Sequence, residues 1–356
     1  MFLDFITAPL SLIYASVIGI RNRLFDKRIL RSEEFDIPVI CVGNLTVGGT
    51  GKTPFTEFLI ESLSGKYNLA VVSRGYKRRT KGFVHASEDS THQQIGDEAK
   101  QIKLKYPHVE VVVCEKRVEG ITKLREICPQ TNLIILDDAF QHRYVEPWVS
   151  IVLMDYNRPI YKDHMLPWGR LRDSKSQLHR AHFVITTKCP SNIQPVEIRS
   201  VSHNLELFPY QKSFFTGIQY APLRPQFAEV AKAAPQKNGP IIVMSAIASP
   251  APMLSHLKAN YNIIHHLEHP DHYAYKISDM EKLSQLLDSC HEQTIIVITE
   301  KDAAKLTNKN KIPINIQQRL YVLPIKVSFL GDSWKTFLKQ LDNYVRKNQK
   351  YSDLHP

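Results

Sequence analysis

The stretch VICVGNLTVGGTGKTPFTEFL, residues 39–59, decides the fold. An apolar run typical of a buried strand leads into a glycine-rich turn, and an amphipathic helix follows. A nucleotide-binding P-loop, G-x-x-x-x-G-K-[ST], has the same order: backbone N–H groups of the turn face the phosphates, and the helix N-terminus adds its dipole. Lys52 and Thr53 take the positions that reach the β- and γ-phosphates and Mg²⁺. Gly48, Gly49 and Gly51 allow backbone conformations that a Cβ obstructs. Pro54 falls within the first helical turn, where a missing N–H costs little. Thr46 stands where the pattern has its first glycine. The strand–loop–helix context restores the reading, so Gly48, Gly49, Thr50, Gly51, Lys52 and Thr53 are expected to bind a nucleotide.

Outward from this loop, short apolar runs alternate with helix-length segments. IPVICVGNL (37–45), NLAVVSRGY (68–76), VEVVVCE (109–115), TNLIILDD (131–138), WVSIVLMD (148–155) and AHFVITTK (181–188) are candidate buried strands. Nearly continuous apolar strands separated by helices indicate a parallel sheet covered on both faces, a doubly wound α/β domain. A second series, NGPIIVMSAI (238–247), YNIIHHLEH (261–269) and TIIVITEKD (294–302), makes a smaller α/β unit. Between and after them, KSFFTGIQY (212–220) and RLYVLPIKVSFL (319–330) are expected to pair as a two-stranded linker. The expected division is a P-loop domain over 31–210, a linker of 211–222 and 319–330, a smaller domain over 223–318, and a closing basic helix and tail over 331–356.

The chain has 356 residues, enough for two cores. Its 43% hydrophobic and 23% charged composition is that of a folded soluble protein, but a net charge of +11 points to an anionic partner. Nucleic acid, an acidic membrane surface and a phosphorylated substrate all satisfy that charge. Five cysteines without a C-x-x-C pair argue against a disulfide framework or zinc ribbon and are expected to be small buried hydrophobes. Residues 5–20, FITAPLSLIYASVIGI, carry no charge, and Arg21, Arg23, Lys27, Arg28 and Arg31 follow. A spanning helix needs about 20 apolar residues. Residues 1–30 are therefore expected to form a helix lying in or dipping into the bilayer, its basic flank on anionic headgroups.

A phosphate loop needs a carboxylate for Mg²⁺ at a neighbouring strand end, and LIILDD supplies Asp137 and Asp138. Mg²⁺ between the β- and γ-phosphates stabilises charge during phosphoryl transfer. Further stretches fall at strand ends, where an open α/β sheet places ligands: SRGYKRR (73–79), IGDEAKQ (95–101), EKRVEG (115–120), LDDAFQHR (136–143), LPWGRLRD (166–173), EHPDHYAY (268–275) and TEKDAAKL (299–306). With GNLTVGGTGKTP, this ordered series resembles the tetraacyldisaccharide 4′-kinases, from the N-terminal helix to beyond residue 306. That resemblance implies two α/β/α domains joined by a two-stranded linker. It implies ATP-dependent phosphorylation of the 4′-hydroxyl of the lipid A disaccharide precursor, at the cytoplasmic face of the bacterial inner membrane.

By the same resemblance, Asp97 matches the catalytic aspartate and His272 the histidine that supports it, with Lys52 beside them in catalysis. Asp97 then acts either as base or as the group that orients the hydroxyl and Mg²⁺. Glu98, Asp137 and Asp138, with Thr53, are the candidate metal ligands. The acceptor carries a 1-phosphate, for which planar guanidinium groups suit. Arg74, Arg117 and Arg172 lie in matching motifs, Tyr76 is placed to stack on a sugar, and Gln141 and His142 to hydrogen-bond the disaccharide. TEKDAAKL is similar to the base-recognition loop of GTPases without the N-K-x-D order, and Lys301 and Asp302 are its candidate nucleotide contacts. His265 and His269 have i,i+4 spacing, but on a strand they alternate with His266 and cannot converge on zinc. The competing function is a P-loop GTPase or ATPase acting as a switch or metal-insertion protein. A nucleic-acid partner is disfavoured because the basic residues are spread out, and a monomer is expected.

Overall fold

The computed structural model describes residues 2–354, with side chains described from 7 to 346. Fourteen strands form two sheets. The first holds β1 (Val39–Asn44), β2 (Leu69–Ser73), β3 (Val84–His85), β4 (Glu110–Val113), β5 (Leu133–Asp137), β6 (Val149–Asp155), β7 (Phe183–Thr187), β8 (Lys212–Tyr220) and β14 (Ile325–Phe329), in the order β14-β8-β7-β6-β1-β5-β2-β4-β3. All neighbours are parallel except the two edges, β3 on β4 and β14 on β8. The second holds β9 (Arg224–Pro225), β10 (Pro240–Ser245), β11 (Asn262–Glu268), β12 (Ile295–Thr299) and β13 (Leu320–Leu323), in the order β11-β10-β12-β13-β9.

The continuous apolar runs are explained by burial on both faces. In β1, Val39 and Cys41 enter one core while Ile40 and Val42 enter the other. In β10, Ile242 and Met244 face one core of the smaller unit and Ile241 and Val243 its second. A strand with no solvent face cannot alternate polar and apolar residues, which is why these runs look unbroken. The chain fills the β5 side of β1 first and the β6 side afterwards. A ligand in such a sheet lies outside the carboxyl ends at that switch, which is where the glycine loop leaves β1.

The stretch 319–330 is two strands rather than the single one expected. β13 completes the second sheet and β14 returns to the first, with Pro324 between them. Proline has no N–H for a ladder, and its carbonyl instead accepts from the Ala221 N–H at 2.9 Å. β8 and β14 pair from Thr216–Phe329 to Tyr220–Ile325, and β8 is also bonded to β7. The pair is therefore an edge of the first sheet as well as the passage between the two. Likewise 294–302 is not strand throughout: β12 ends at Thr299, whose hydroxyl accepts from the Asp302 N–H and caps a helical turn, Glu300–Ala303.

The chain closes with a helix over Ser333–Leu354, which packs Phe337, Leu341 and Val345 among Phe55, Phe183 and Phe214 of the first core. At the other end a helix runs over Phe2–Asp26 with Pro9 inside it. One face docks on the first domain: Ser11 Oγ donates to the Met165 carbonyl at 2.8 Å, Tyr14 Oη to that of Arg172 at 3.0 Å, and Asn22 Nδ2 to Asp173 at 2.8 Å. Leu10, Ile13, Val17 and Ile20, spaced along the opposite face, are exposed. No helix among the described residues is long and apolar enough to cross a membrane. All five cysteines are free thiols, four of them buried and Cys290 half-buried.

Candidate active site

The glycine loop leaves β1 at Asn44 and enters the helix Lys52–Leu63 through Gly51, which caps the helix in the left-handed region at φ 83°. A side chain there is strained whatever space surrounds it. Gly48 is likewise left-handed, at φ 101°, whereas Gly49 is not, and a Cβ on it meets no protein atom. Thr46 is 7% exposed, and its backbone forms an isolated antiparallel bridge with Leu171. Asn44 Nδ2 donates to Thr50 Oγ1 at 2.7 Å, and Thr187 Oγ1 to the Thr50 carbonyl at 2.8 Å. Lys188 ties the Gly49 carbonyl to Asp155. Asn44, Thr187 and Lys188 were not foreseen. Two of them are remote in sequence, joined to the loop only because β7 ends beside β1's turn.

At the end of β5 the two aspartates diverge. Asp137 is buried and accepts from Thr56 Oγ1 at 3.2 Å. Burial first, and then the Asp138 charge, push its carboxyl up to about 6. Asp138 takes a left-handed backbone, φ 48°, that turns its side chain away from the strand line. Burial raises its carboxyl too, but Lys52 and Arg172 outweigh burial and hold it below the usual range. Lys52 Nζ is 3.7 Å from Asp138, and Arg172 grips the same carboxylate through two nitrogens at 2.7 and 3.3 Å. Thr53 is the second residue of the helix, half-buried. Hard oxygen donors with an excess of negative charge suit Mg²⁺, and Thr53, Asp137, Asp138 and Glu98 supply them. Glu98 is close enough to raise Asp137 further and is 3.6 Å from Lys301.

The second half of the site joins Asp97 of the first domain to residues of the smaller one. Asp97 starts the helix Asp97–Lys105 behind Gly96, whose φ is 89° and whose Cβ, if present, would lie 2.9 Å from the Tyr76 carbonyl. The Gly–Asp pair is thus a backbone requirement and a placed carboxylate together. His272 Nδ1 lies 3.0 Å from Asp97 Oδ2, across 175 residues of sequence. Its other nitrogen, Nε2, is 3.1 Å from Lys301 Nζ. An ammonium only donates, so Nε2 accepts, which leaves the proton on Nδ1 facing the carboxylate. His272 itself sits at φ 65°, a strained backbone that the smaller domain maintains through the His272 N–H to Ala246 carbonyl bond at 3.3 Å. Burial raises Asp97, but the His272 hydrogen bond and Lys305, 3.7 Å away, hold it below its ordinary value.

Several expected contacts are placed differently. Asp302 is fully buried: it accepts from Thr299 Oγ1 at 2.6 Å and from the Ala246 N–H at 3.3 Å, with Lys305 3.4 Å away. With no exposed surface and every oxygen engaged, it organises two loops of the smaller domain instead of meeting a nucleotide. Arg172 is committed to Asp138 and to the Asn44 side chain. Gln141 Nε2 donates to the Asn44 carbonyl at 2.7 Å, so it stays beside the loop. Arg117 is buried and donates only to the carbonyls of Cys114 and Glu115, and its Nε has no partner. His142 Nε2 accepts from the Arg117 N–H at 3.3 Å, and burial, Arg117, Arg21 and Arg74 push that imidazole down to about 4. Arg74 and Arg117, beside neutral His142, make an electropositive patch next to the Asp137 and Asp138 carboxylates. Tyr76 is 58% exposed, its ring 5.3 Å from that of His272 and edge-on to it. The nucleotide loop, both aspartates, Asp97 and His272 therefore converge on one region. His265 and His266 lie on strand β11, His266 against Ser245 Oγ at 3.1 Å, while His269 stacks on Tyr273.

Residues 3–346 match the family model described as tetraacyldisaccharide-1-P 4′-kinase. The chain belongs to the tetraacyldisaccharide 4′-kinase family. The tetraacyldisaccharide 4′-kinase of Phocaeicola vulgatus is 43% identical over 351 residues, covering 97% of this chain and 96% of that protein. That of Bacteroides thetaiotaomicron is 41% identical, covering 97% and 94%. Among solved structures, LpxK from Aquifex aeolicus in complex with ATP superposes with a TM-score of 0.75 at 28% identity, over 96% of this chain and 99% of that one.

In this family member the two domains meet at a buried charge cluster beside the site. Lys105 Nζ lies 2.6 Å from Glu57 on the first domain and 2.9 Å from Glu300 on the smaller one. Gln101 donates to Glu57 at 2.7 Å, and the Ile325 N–H to Glu300 at 3.2 Å. Burial, with Glu300 second, raises the Glu57 carboxyl to about 7. One ammonium thus serves two carboxylates, one from each side of the junction.

Proposed function

We propose that the chain transfers the γ-phosphate of ATP to the 4′-hydroxyl of tetraacyldisaccharide 1-phosphate, a step of lipid A biosynthesis. The observation that carries this reading is the Asp97–His272 pair on a chain that also has a phosphate loop, within a family of that activity. The loop N–H groups and Lys52 bind the β- and γ-phosphates. Thr53, Asp137, Asp138 and Glu98 would hold Mg²⁺, which would supply neutralising charge there. Asp97 accepts a hydrogen bond from the sugar hydroxyl and aligns it with the γ-phosphorus. A carboxylate held below its usual pKa is a weak base, so it takes the proton late, once bond formation has acidified the hydroxyl. His272 holds Asp97 in place, and Lys301 fixes the imidazole tautomer. Both halves of the site come from one chain, so the monomer is the working unit.

The acceptor's 1-phosphate finds the electropositive patch of Arg74, Arg117 and His142, where the buried Arg117 guanidinium has an Nε without a hydrogen-bond partner. Tyr76 offers an exposed ring to a sugar face. The helix Phe2–Asp26 rests on the cytoplasmic face of the inner membrane through Leu10, Ile13, Val17 and Ile20, with basic residues following. Absence of N-K-x-D and the Asp97–His272 pair both speak against a GTPase or ATPase switch.

The deciding experiment supplies γ-labelled ATP and detergent-dispersed lipid disaccharide 1-phosphate to the purified chain. Label is expected on the lipid at the 4′ position, with ATP consumption dependent on the acceptor. Equal ATP consumption without acceptor, or an unlabelled lipid, would show that this reading is wrong.

A further inference from the structure

Far from the phosphate loop, three potential metal ligands from three elements converge at the β3 edge of the first sheet. His85 is in β3, Glu110 is in β4, and Cys128 ends the helix Arg117–Ile127. His85 Nε2 lies 2.7 Å from Glu110 Oε2, and a ligand atom of each residue lies within 4.8 Å of the other two. We infer that His85, Glu110 and Cys128 form a site for one zinc ion, which clasps β3 to the sheet.

The donor set argues for the metal. A thiolate, an imidazole and a carboxylate together suit zinc and disfavour magnesium or calcium, which take oxygen alone. Tetrahedral zinc, with bonds near 2.0 to 2.3 Å, separates its donors by roughly 3.3 to 3.8 Å. The observed spacing brackets that range, so side-chain torsions suffice to close the site, and water fills a fourth position. Cys128 also lies at a helix C-terminus, where the backbone carbonyls favour a cation. His85 is exposed and Glu110 only partly buried, so the ion has a path in, while the thiol is shielded. The absence of a C-x-x-C pattern in the sequence excludes a ribbon but says nothing of ligands brought together by strand pairing.

The site has mechanical sense as well. β3 is only two residues long, on the excursion between β2 and Asp97 that also carries Arg74 and Tyr76. A metal clasp at its midpoint would restrain that excursion without touching the phosphate loop.

The test uses the full-length, untagged chain, stripped with chelator and titrated with Co²⁺ as a spectroscopic stand-in for Zn²⁺. One equivalent should bind with an intense thiolate-to-cobalt charge-transfer band, and Zn²⁺ should displace it. Cys128→Ser should abolish the band, and His85→Ala should weaken binding at least about tenfold. Absence of the band at one equivalent, or its persistence in Cys128→Ser, overturns the inference. Should Cys128→Ser fail to fold, X-ray absorption on the zinc-loaded wild type decides. One sulfur in the shell, with its imidazole nitrogen lost in His85→Ala, supports the site, and a shell of nitrogen and oxygen alone rejects it.

Discussion

The two halves of the site are built by opposite means. On the first domain, Asp137 and Asp138 stand at the end of β5 and Lys52 opens the helix after β1, fixed by a sheet buried on both faces, and Arg172 reaches Asp138 from the segment between β6 and β7. On the smaller domain, His272 projects from a loop and Lys301 from a single helical turn, and a strained backbone and a buried Asp302–Lys305 pair hold them in place. The first half is rigid by construction. The second is held by polar groups whose removal leaves unpaired charge, so its geometry depends on the domain junction. A phosphate is thus received by the stiff half and the acceptor's alignment is completed by the adjustable one.

Replacing Asp97 tests the union of the halves and should have the largest effect. Asp97→Ala is expected to lower kcat by about 10² to 10⁴-fold with a much smaller change in KM, since the interaction matters most in the transition state. Steady-state kinetics with the lipid acceptor measure this, and unchanged turnover would remove Asp97 from the chemistry. Next, Asp302→Ala leaves buried Lys305 with only Asp97, 3.7 Å away, and the Ala246 N–H unsatisfied. A loss of about 3 kcal/mol in unfolding free energy is expected, read by denaturant titration. Its effect on ATP affinity should be slight, in contrast to a nucleotide ligand.

A subtler change separates the halves electrostatically. Lys305→Met removes one of the groups that hold Asp97 down, so the acid limb of the kcat–pH profile should move to higher pH. An unshifted limb would mean that Lys305 only packs.

The smallest effect concerns the junction. Glu57 is raised from 4.5 to about 7, so between those values the folded state binds the extra proton and stability falls as pH rises. The contribution is fully present below 4.5 and gone above about 7. Glu57→Gln should flatten the decline of Tm across that window, and a slope identical to wild type would count against the shift.

The rigid half was largely legible in the sequence because its signals are local: a glycine loop meets a helix within a dozen positions, and two aspartates end an apolar run. The adjustable half was legible only through the ordered motifs of a family, since nothing in PDHY announces a partner 175 residues away. Where motif likeness ran ahead of packing, it misled. Asp302 sits in a motif that looks like a nucleotide contact yet is fully buried in a helical turn. Lys305, four residues from Lys301 in the same motif, went unnoticed because its role exists only after the domains meet. Pro324 was visible in 319–330, and its missing N–H was the available clue that one strand would become two.

The route of the chain has a consequence for how the molecule is made. Everything from β9 to β13 is spliced into a first domain whose final strand and helix are synthesised last. Until Phe329 and Phe337 emerge, Phe55, Phe183 and Phe214 lack the rings that complete their packing on that side of the sheet. The later-encoded, smaller domain can finish folding on the ribosome while the earlier one still waits with an open hydrophobic face. Nascent chains halted short of β14 should therefore be the form that chaperones hold.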